Sequence, residues 1–396
     1  MKKLITYLCC FIVFFIGLIV FPTSNFEGNA SGVQKKGSIC LNMIVKDESA
    51  VIEQCLNSVK KLIDYWVIVD TGSTDGTQQV IKRFLKDVPG ELHERPWVNF
   101  EHNRNEALAL AKKKAEYTLF IDADEVLHFS ESFVRPDLTK DIYSIQTKQK
   151  DAGDYTKWFM VKNALKWKWR GILHETIVCD EAETKEMVRG VVNYSDTSLG
   201  ARSKDPNKYL KDAIILEKGL EKEPNNSRYR FYLASSYLNA KEFYLALENY
   251  KKRTQMIGDD QGEVFVSQLM VACLQEACDM PSQIVVRSYL KAHQLNPNRA
   301  EPFFYLGVYY LNHNKPQLAY DAFKIAPTNL NPNDIDFVQT EIYEWRLSYM
   351  MVKAAYSLKK YPEMQKELQK IVESKTAPKD VLEESKKNLE ILQAML

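Results

Sequence analysis

Three rhythms of apolar and polar residues follow one another along the chain. From Leu4 to Phe21 the run is unbroken, uncharged and aromatic-rich, and Lys2 and Lys3 precede it. Eighteen such residues are just enough to cross a bilayer as a helix and exceed the core of most signal peptides. The stretch from Asn25 to Gly37 is rich in Gly, Ser and Asn and reads as a linker. From Ser38 to about Ser195, β-branched and aromatic runs alternate with amphipathic ones. Ile39 to Val45, Tyr65 to Asp70, Glu91 to Val98 and Tyr117 to Asp122 read as strands. Ala50 to Leu62, with Val51, Cys55, Val59 and Leu62 on one face, Thr77 to Leu85 and Asn103 to Lys114 read as helices. This alternation predicts a largely parallel sheet with helices on both faces. Ile142 to Thr147, Thr156 to Val161, Gly171 to Val178 and Gly190 to Tyr194 read as shorter antiparallel strands.

Beyond Asp205-Pro206 only the helical period remains, and it repeats. Leu233, Ala234, Tyr237, Ala246 and Tyr250 stand at offsets 0, 1, 4, 13 and 17, and Leu306, Gly307, Tyr310, Ala319 and Phe323 stand at the same offsets. Pro224 and Pro297 each lie nine residues before the first member, and Tyr289 lies 34 before Phe323. The spacing resembles a tetratricopeptide array, in which paired helices stack through a small residue against an aromatic one. A last pair around Trp345 to Tyr356 and Met364 to Ile371 reads as its cap. The chain thus divides into an N-terminal membrane anchor or signal sequence (1–24), a linker (25–37), an α/β domain (38–200) and helical repeats (201–396).

Composition narrows the partners. At 396 residues two folded domains are expected, and 45% hydrophobic with 27% charged residues is globular. A net charge of +1 gives no reason to expect nucleic acid. Seven cysteines without C-x-x-C spacing read as buried thiols, not a zinc site or a disulfide framework. Lys2 and Lys3 favour a cytoplasmic N-terminus and a single-pass anchor, Lys35 and Lys36 pull the other way, and a cleaved signal peptide is the alternative.

The chemistry lies in two acidic signatures that end strands. Val67-Ile68-Val69-Asp70-Thr71-Gly72-Ser73-Thr74-Asp75-Gly76-Thr77 and Leu119-Phe120-Ile121-Asp122-Ala123-Asp124-Glu125 each pass from apolar residues to carboxylates. A buried parallel strand does this at its carboxyl end, where open α/β sheets bind ligands. Asp70 there can accept from a base N–H or a ribose hydroxyl. Gly72 and Gly76 permit the turn into the next helix, which Asp75 caps. Asp122 and Asp124, one residue apart, can share Mg²⁺ or Mn²⁺ that also holds a diphosphate. Trp167 and Trp169 suit either sugar stacking or packing between the domains.

These motifs, in this order, resemble family 2 glycosyltransferases of the GT-A fold over roughly Ser38 to Ser195, in the branch with a C-terminal tetratricopeptide array. The resemblance implies a Rossmann-like nucleotide-diphospho-sugar transferase domain and transfer with inversion from a UDP- or GDP-linked sugar. It carries onto this chain residue by residue: Glu48 in Met43-Ile44-Val45-Lys46-Asp47-Glu48 near the nucleoside, Asp70 on base or ribose, Arg104 in Asn103-Arg104-Asn105 facing the donor, and Asp122 and Asp124 at the metal. In Trp169-Arg170-Gly171-Ile172-Leu173-His174-Glu175-Thr176 it implies Glu175 as the base that deprotonates the acceptor and His174 as a third metal ligand or diphosphate contact. Asp151 and Asp154 are rival bases, because the Glu-Asp dipeptide of many members is missing.

The expected function is a metal-dependent, hexosyltransferase-type enzyme whose repeats hold an acceptor protein, peptide or glycan. The alternative is a membrane-tethered protein-binding module with a catalytically silent transferase-like domain. It predicts damage to the acidic set, yet Glu48, Asp70, Asp122 and Asp124 are all present. Nucleotidyl transfer on the same fold is disfavoured by Lys46-Asp47-Glu48-Ser49, which is not a Gly- and Arg-rich phosphate loop.

Overall fold

The computed structural model describes residues 37–149, 153–196, 198, 200–256, 260–329 and 337–395. The apolar run from Leu4 to Phe21, nearly all of the linker, and Asp151 lie outside the described residues. Within them no helix is long and apolar enough to cross a membrane. The chain divides into two compact units that meet in sequence at Lys208 and Tyr209.

The first unit is built on β1 (Ile39–Val45), α1 (Ile52–Val59), β2 (Tyr65–Asp70), α2 (Thr77–Phe84), β3 (Gly90–Glu94), α3 (Phe100–Ala111) and β4 (Tyr117–Phe120). It continues through β5 (Glu125–Phe129), β6 (Ile142–Gln149), β7 (Gly153–Lys162), β8 (Lys168–Arg170), β9 (Thr176–Val178) and β10 (Lys185–Ser195). Eight of these strands form one sheet in the order β3-β2-β1-β4-β7-β6-β10-β5, while β8 and β9 pair separately. The half from β3 to β4 is parallel. β7 pairs antiparallel with β4 and β6, and β10 lies between β6 and β5.

Alternation along β1 explains why both faces are covered. Ile39, Leu41, Met43 and Val45 join Ile52, Leu56 and Ile81 of α1 and α2 in the main core. Cys40 faces the other way, with Val67 and Ala111 of α3. Asn42 on that second face is buried because its amide donates to Val67 O at 3.2 Å and Ala107 O at 3.0 Å.

Three sequence expectations change. The run from Glu91 ends as a strand at Glu94, two residues before Pro96, which has no N–H to give a ladder. The helix expected from Asn103 starts a turn earlier, because Asn99 Oδ1 caps it by accepting from His102 N at 2.8 Å. Gly171 to Val178 is not one strand: Gly171 (φ 118°) and His174 (φ 53°) make a tight turn between β8 and β9. That turn carries Glu175.

The second unit is helical: α4 (Lys208–Lys222), α5 (Ser227–Asn239), α6 (Phe243–Arg253), α7 (Gln261–Ala277), α8 (Ser282–Leu295), α9 (Glu301–Asn312), α10 (Pro316–Ile325), α11 (Leu347–Ser357), α12 (Tyr361–Glu373) and α13 (Lys379–Met395). The repeat positions pack as the spacing requires. Leu233, Ala234, Tyr237, Ala246 and Tyr250 are all buried on α5 and α6, and Leu306, Ala319 and Phe323 on α9 and α10. Gly307 has no room for a side chain, since an added Cβ would stand 2.3 Å from the Phe323 ring. The stack ends not on α12 but on α13, whose Leu389 and Leu392 complete its core.

Candidate active site

The register sets Val45 beside Asp70 and Asn42 beside Phe120, so the chain leaves β1, β2 and β4 at one rim of the sheet. Two of the departing loops are tied together. Asp47 Oδ1 accepts from Thr74 N at 2.8 Å, and Asp47 N donates to Ser73 Oγ at 2.9 Å. Glu48 N donates to Thr77 Oγ1 at 2.8 Å, and Ser49 N to Asp75 Oδ2 at 2.9 Å. Asp75 also accepts from Thr77 N and Oγ1. Although burial opposes it, these bonds hold its carboxyl below the usual range, as a structural aspartate requires.

Asp70 is almost wholly buried. Its Oδ1 accepts from Gly72 N at 2.9 Å, Ser73 N at 2.8 Å and Gln78 Nε2 at 3.2 Å. Its Oδ2 is buried with no hydrogen-bond partner. A buried carboxylate oxygen in that state is short of a donor that a ligand can bring.

Ile121 and Ala123 enter the main core, and Asp122 and Asp124 alternate away from it. Asp122 is enclosed by cations: Oδ1 accepts from Arg104 Nη2 at 2.7 Å and Oδ2 from Lys157 Nζ at 2.9 Å. Burial would raise its carboxyl, but Lys157 and Arg104 outweigh it and hold the group well below the carboxylate range. Lys157 also donates to Glu125 Oε1 and Oε2 at 2.8 and 2.7 Å, and Glu125 Oε2 accepts from Asp122 N at 2.8 Å. Lys157 and Arg104 are both held charged against burial by these carboxylates. Asp124 makes no ion pair among the described residues. Burial first, then the charges of Asp122 and Glu125, push its carboxyl up to about 6.

Arg104 reaches across from α3. Its Nε donates to Glu175 Oε1, its Nη2 to Asp122, and its guanidinium lies over the Trp169 ring at 5.0 Å. Glu175 is thereby drawn to the acidic rim, with its side chain 9% exposed. Asn103 and Asn105, the neighbours of Arg104, are structural. Asn103 serves Val98 N and Pro96 O, and Asn105 serves Trp169 N and O. Trp169 packs on Phe120 within the α/β unit, and Trp167 beside it donates to Lys162 O. Glu48 ties to the end of the unit: its carboxylate accepts from Ala201 N at 3.3 Å. Gly200 lies so close to Asp124 that a Cβ there would stand 2.9 Å from Oδ2. Arg202 covers the Phe100 ring at 5.0 Å.

The three-ligand metal set of Asp122, Asp124 and His174 is not formed. Among the described residues no three His, Cys, Asp or Glu side chains gather where an ion could be held. Asp122 is already matched by Arg104 and Lys157, and His174 sits exposed on its left-handed turn. Asp124, which makes no ion pair among the described residues and has two negative neighbours, is the carboxylate of this rim that would meet a divalent ion shared with a diphosphate. Of the rival bases, Asp151 lies outside the described residues, as does the side chain of Asp154.

Lys157 and Glu125 were missed from sequence. Lys157 stands opposite Ile145 and two residues from Phe159, and both of those residues face the main core. A lysine on the inward side of a strand is the signal that was available.

Residues 40–173 match the family model described as Glycosyl transferase family 2, so the α/β unit carries a domain of that family. Over 90 residues the chain is 36% identical to a TPR repeat-containing protein of Synechococcus elongatus, covering 22% of this chain and 21% of that one. It is 38% identical over 90 residues to the SPbeta prophage-derived glycosyltransferase SunS of Bacillus subtilis, covering 22% and 20%. An uncharacterized glycosyltransferase of Rickettsia bellii is 33% identical over 85 residues, covering 22% and 27%. The matched stretch thus spans about a fifth to a quarter of these curated relatives' lengths. Among solved structures the chain is similar to MamA at a TM-score of 0.34 and 19% identity, covering 48% of this chain and 89% of that one.

Proposed function

We propose that the α/β unit transfers a sugar, with inversion, from a nucleotide-diphosphate donor to an acceptor held by the helical repeats. The observation that carries this reading is the rim itself. Asp70 offers an unsatisfied buried oxygen at one strand end, and Asp124 a carboxylate short of positive charge at another. A nucleoside brings the N–H or hydroxyl that Asp70 lacks. A diphosphate linked to it extends toward Asp124 and Arg104. Bound Mn²⁺ or Mg²⁺ would neutralise charge on the departing diphosphate, and Asp124 is the residue that would hold it.

In this reading Arg104 fixes Glu175 through Oε1, and Glu175 Oε2 takes the proton of the acceptor hydroxyl. The hydroxyl oxygen then attacks the anomeric carbon from the face opposite the diphosphate, which leaves with the bonding electron pair. Glu48 and the turn at Ala201 close the nucleoside side. The apolar segment within residues 1–24 would tether the enzyme to a membrane.

Incubating the full chain with UDP- and GDP-sugars and Mn²⁺ should release the nucleoside diphosphate. Glu175→Gln should cut turnover by about a hundredfold or more while preserving nucleotide affinity. A chain that neither releases nor binds any nucleoside diphosphate would overturn the reading. An almost fully active Glu175→Gln enzyme would move the base to Asp151 or Asp154.

A further inference from the structure

Lys157 has no part in the reading so far, yet it is the most heavily committed cation of the rim. An ammonium has three N–H donors, and all three are used: Asp122 Oδ2 at 2.9 Å, Glu125 Oε1 at 2.8 Å and Glu125 Oε2 at 2.7 Å. Glu125 is 3% exposed on its side chain, and its Oε2 also accepts from the backbone of Asp122. A closed ring results, running from Asp122 N to the Glu125 carboxylate, through the ammonium, and back to the Asp122 carboxylate. Arg104 fills the remaining oxygen of Asp122. Every oxygen of Asp122 and Glu125 is therefore matched, while Asp124, between them in sequence, makes no ion pair among the described residues.

We propose that Lys157 is a positioning residue of the donor site, a resident cation that ties Asp122 to Glu125 across the turn and leaves Asp124 as the one carboxylate facing an incoming divalent ion. The inference rests on the donor-site reading above. It assigns the two aspartates of the motif unequal work: Asp122 anchors the turn and Asp124 meets the ion. It also explains how Asp122, Asp124, Glu125 and Glu175 sit at one rim without driving it apart, since two of them share one buried ammonium.

The charge of Lys157 gives the test its direction. Replacing it with a neutral residue makes the rim more negative by one unit within a few ångströms of Asp124. Manganese should then bind more tightly, and a nucleotide without metal more weakly, each by about tenfold. A merely structural lysine would weaken both on removal. Mn²⁺ uptake by the full chain is measured by electron paramagnetic resonance, with and without UDP or GDP, and metal-free UDP and GDP binding by calorimetry. Lys157→Gln should give the opposed shifts, and Lys157→Arg should restore both affinities to within about threefold. Because Lys157→Gln leaves Glu125 buried without a counter-ion and can fail to fold, a second pair carries the same question. Asp122→Asn should keep Mn²⁺ affinity within about tenfold, whereas Asp124→Asn should lose it. Weaker Mn²⁺ binding in a folded Lys157→Gln protein, or equal loss in Asp122→Asn and Asp124→Asn, would overturn the proposal alone. A wild-type chain that takes up no Mn²⁺ beside either nucleotide would overturn the donor-site reading and this inference with it.

Discussion

Asp124→Asn should stabilise the α/β unit at neutral pH while removing its hold on a cation. The carboxyl of Asp124 rises from 3.8 to about 6, first because it is buried and then because Asp122 and Glu125 stand beside it. Between those values the folded chain binds a proton that the unfolded chain has released. Stability therefore falls as pH climbs through this window, and above about pH 6 the whole penalty stays in place. A rise of that size corresponds to about 3 kcal/mol, which solvent around the partly exposed carboxyl trims to about 1–2 kcal/mol. Asparagine keeps the shape and carries no charge, so the variant should gain that amount near pH 7.5 and nothing near pH 4. Urea unfolding followed by tryptophan fluorescence suits the measurement, because five of the six tryptophans (Trp66, Trp97, Trp158, Trp167 and Trp169) lie in the α/β unit. A chelator must be present, since a bound ion would stabilise the wild type alone. Equal stabilities at both pH values, or a less stable variant at pH 7.5, would refute the reasoning.

Other perturbations probe the remaining parts. Asp70→Ala removes the unsatisfied oxygen at the nucleoside side. It should lower nucleoside diphosphate affinity by about tenfold or more, leaving Mn²⁺ uptake in the absence of nucleotide unchanged, as calorimetry would read. Undiminished nucleotide affinity would place the nucleoside elsewhere. Gly307→Ala forces a Cβ to 2.3 Å from the Phe323 ring and should destabilise the helical unit by about 1–3 kcal/mol. Trp345, the one tryptophan of that unit, reports it, and a neutral result would mean that α9 and α10 part freely.

The sequence was most legible where a regular period met a chemical break. The strands leading into Asp70 and Asp122 could be read because parallel strands are apolar on both faces and turn polar only at their ends. The repeats could be read because stacking imposes the same small-and-aromatic contact twice, as Gly307 against Phe323 illustrates. What stayed hidden were partnerships across distant segments. The reach of Arg104 to both Asp122 and Glu175 joins residues 18 and 71 positions apart. Lys157 meets Asp122 only because β7 turns back beside β4, a pairing that strand composition does not encode. His174 and Glu175 looked like strand residues because the turn at Gly171 was not recognised. One consequence is that Asp122 looked like a metal ligand when its oxygens are already matched by cations.

Strand β10 carries a practical message for anyone trimming this gene product. The stretch that the family model recognises stops at residue 173, yet β10 begins at Lys185 and is the hydrogen-bonded neighbour that binds β5 to the rest of the sheet. A fragment cut where the homology ends would set β5 adrift with Glu125 at its head, and an inactive product from such a fragment would report a broken scaffold, not a failed chemistry.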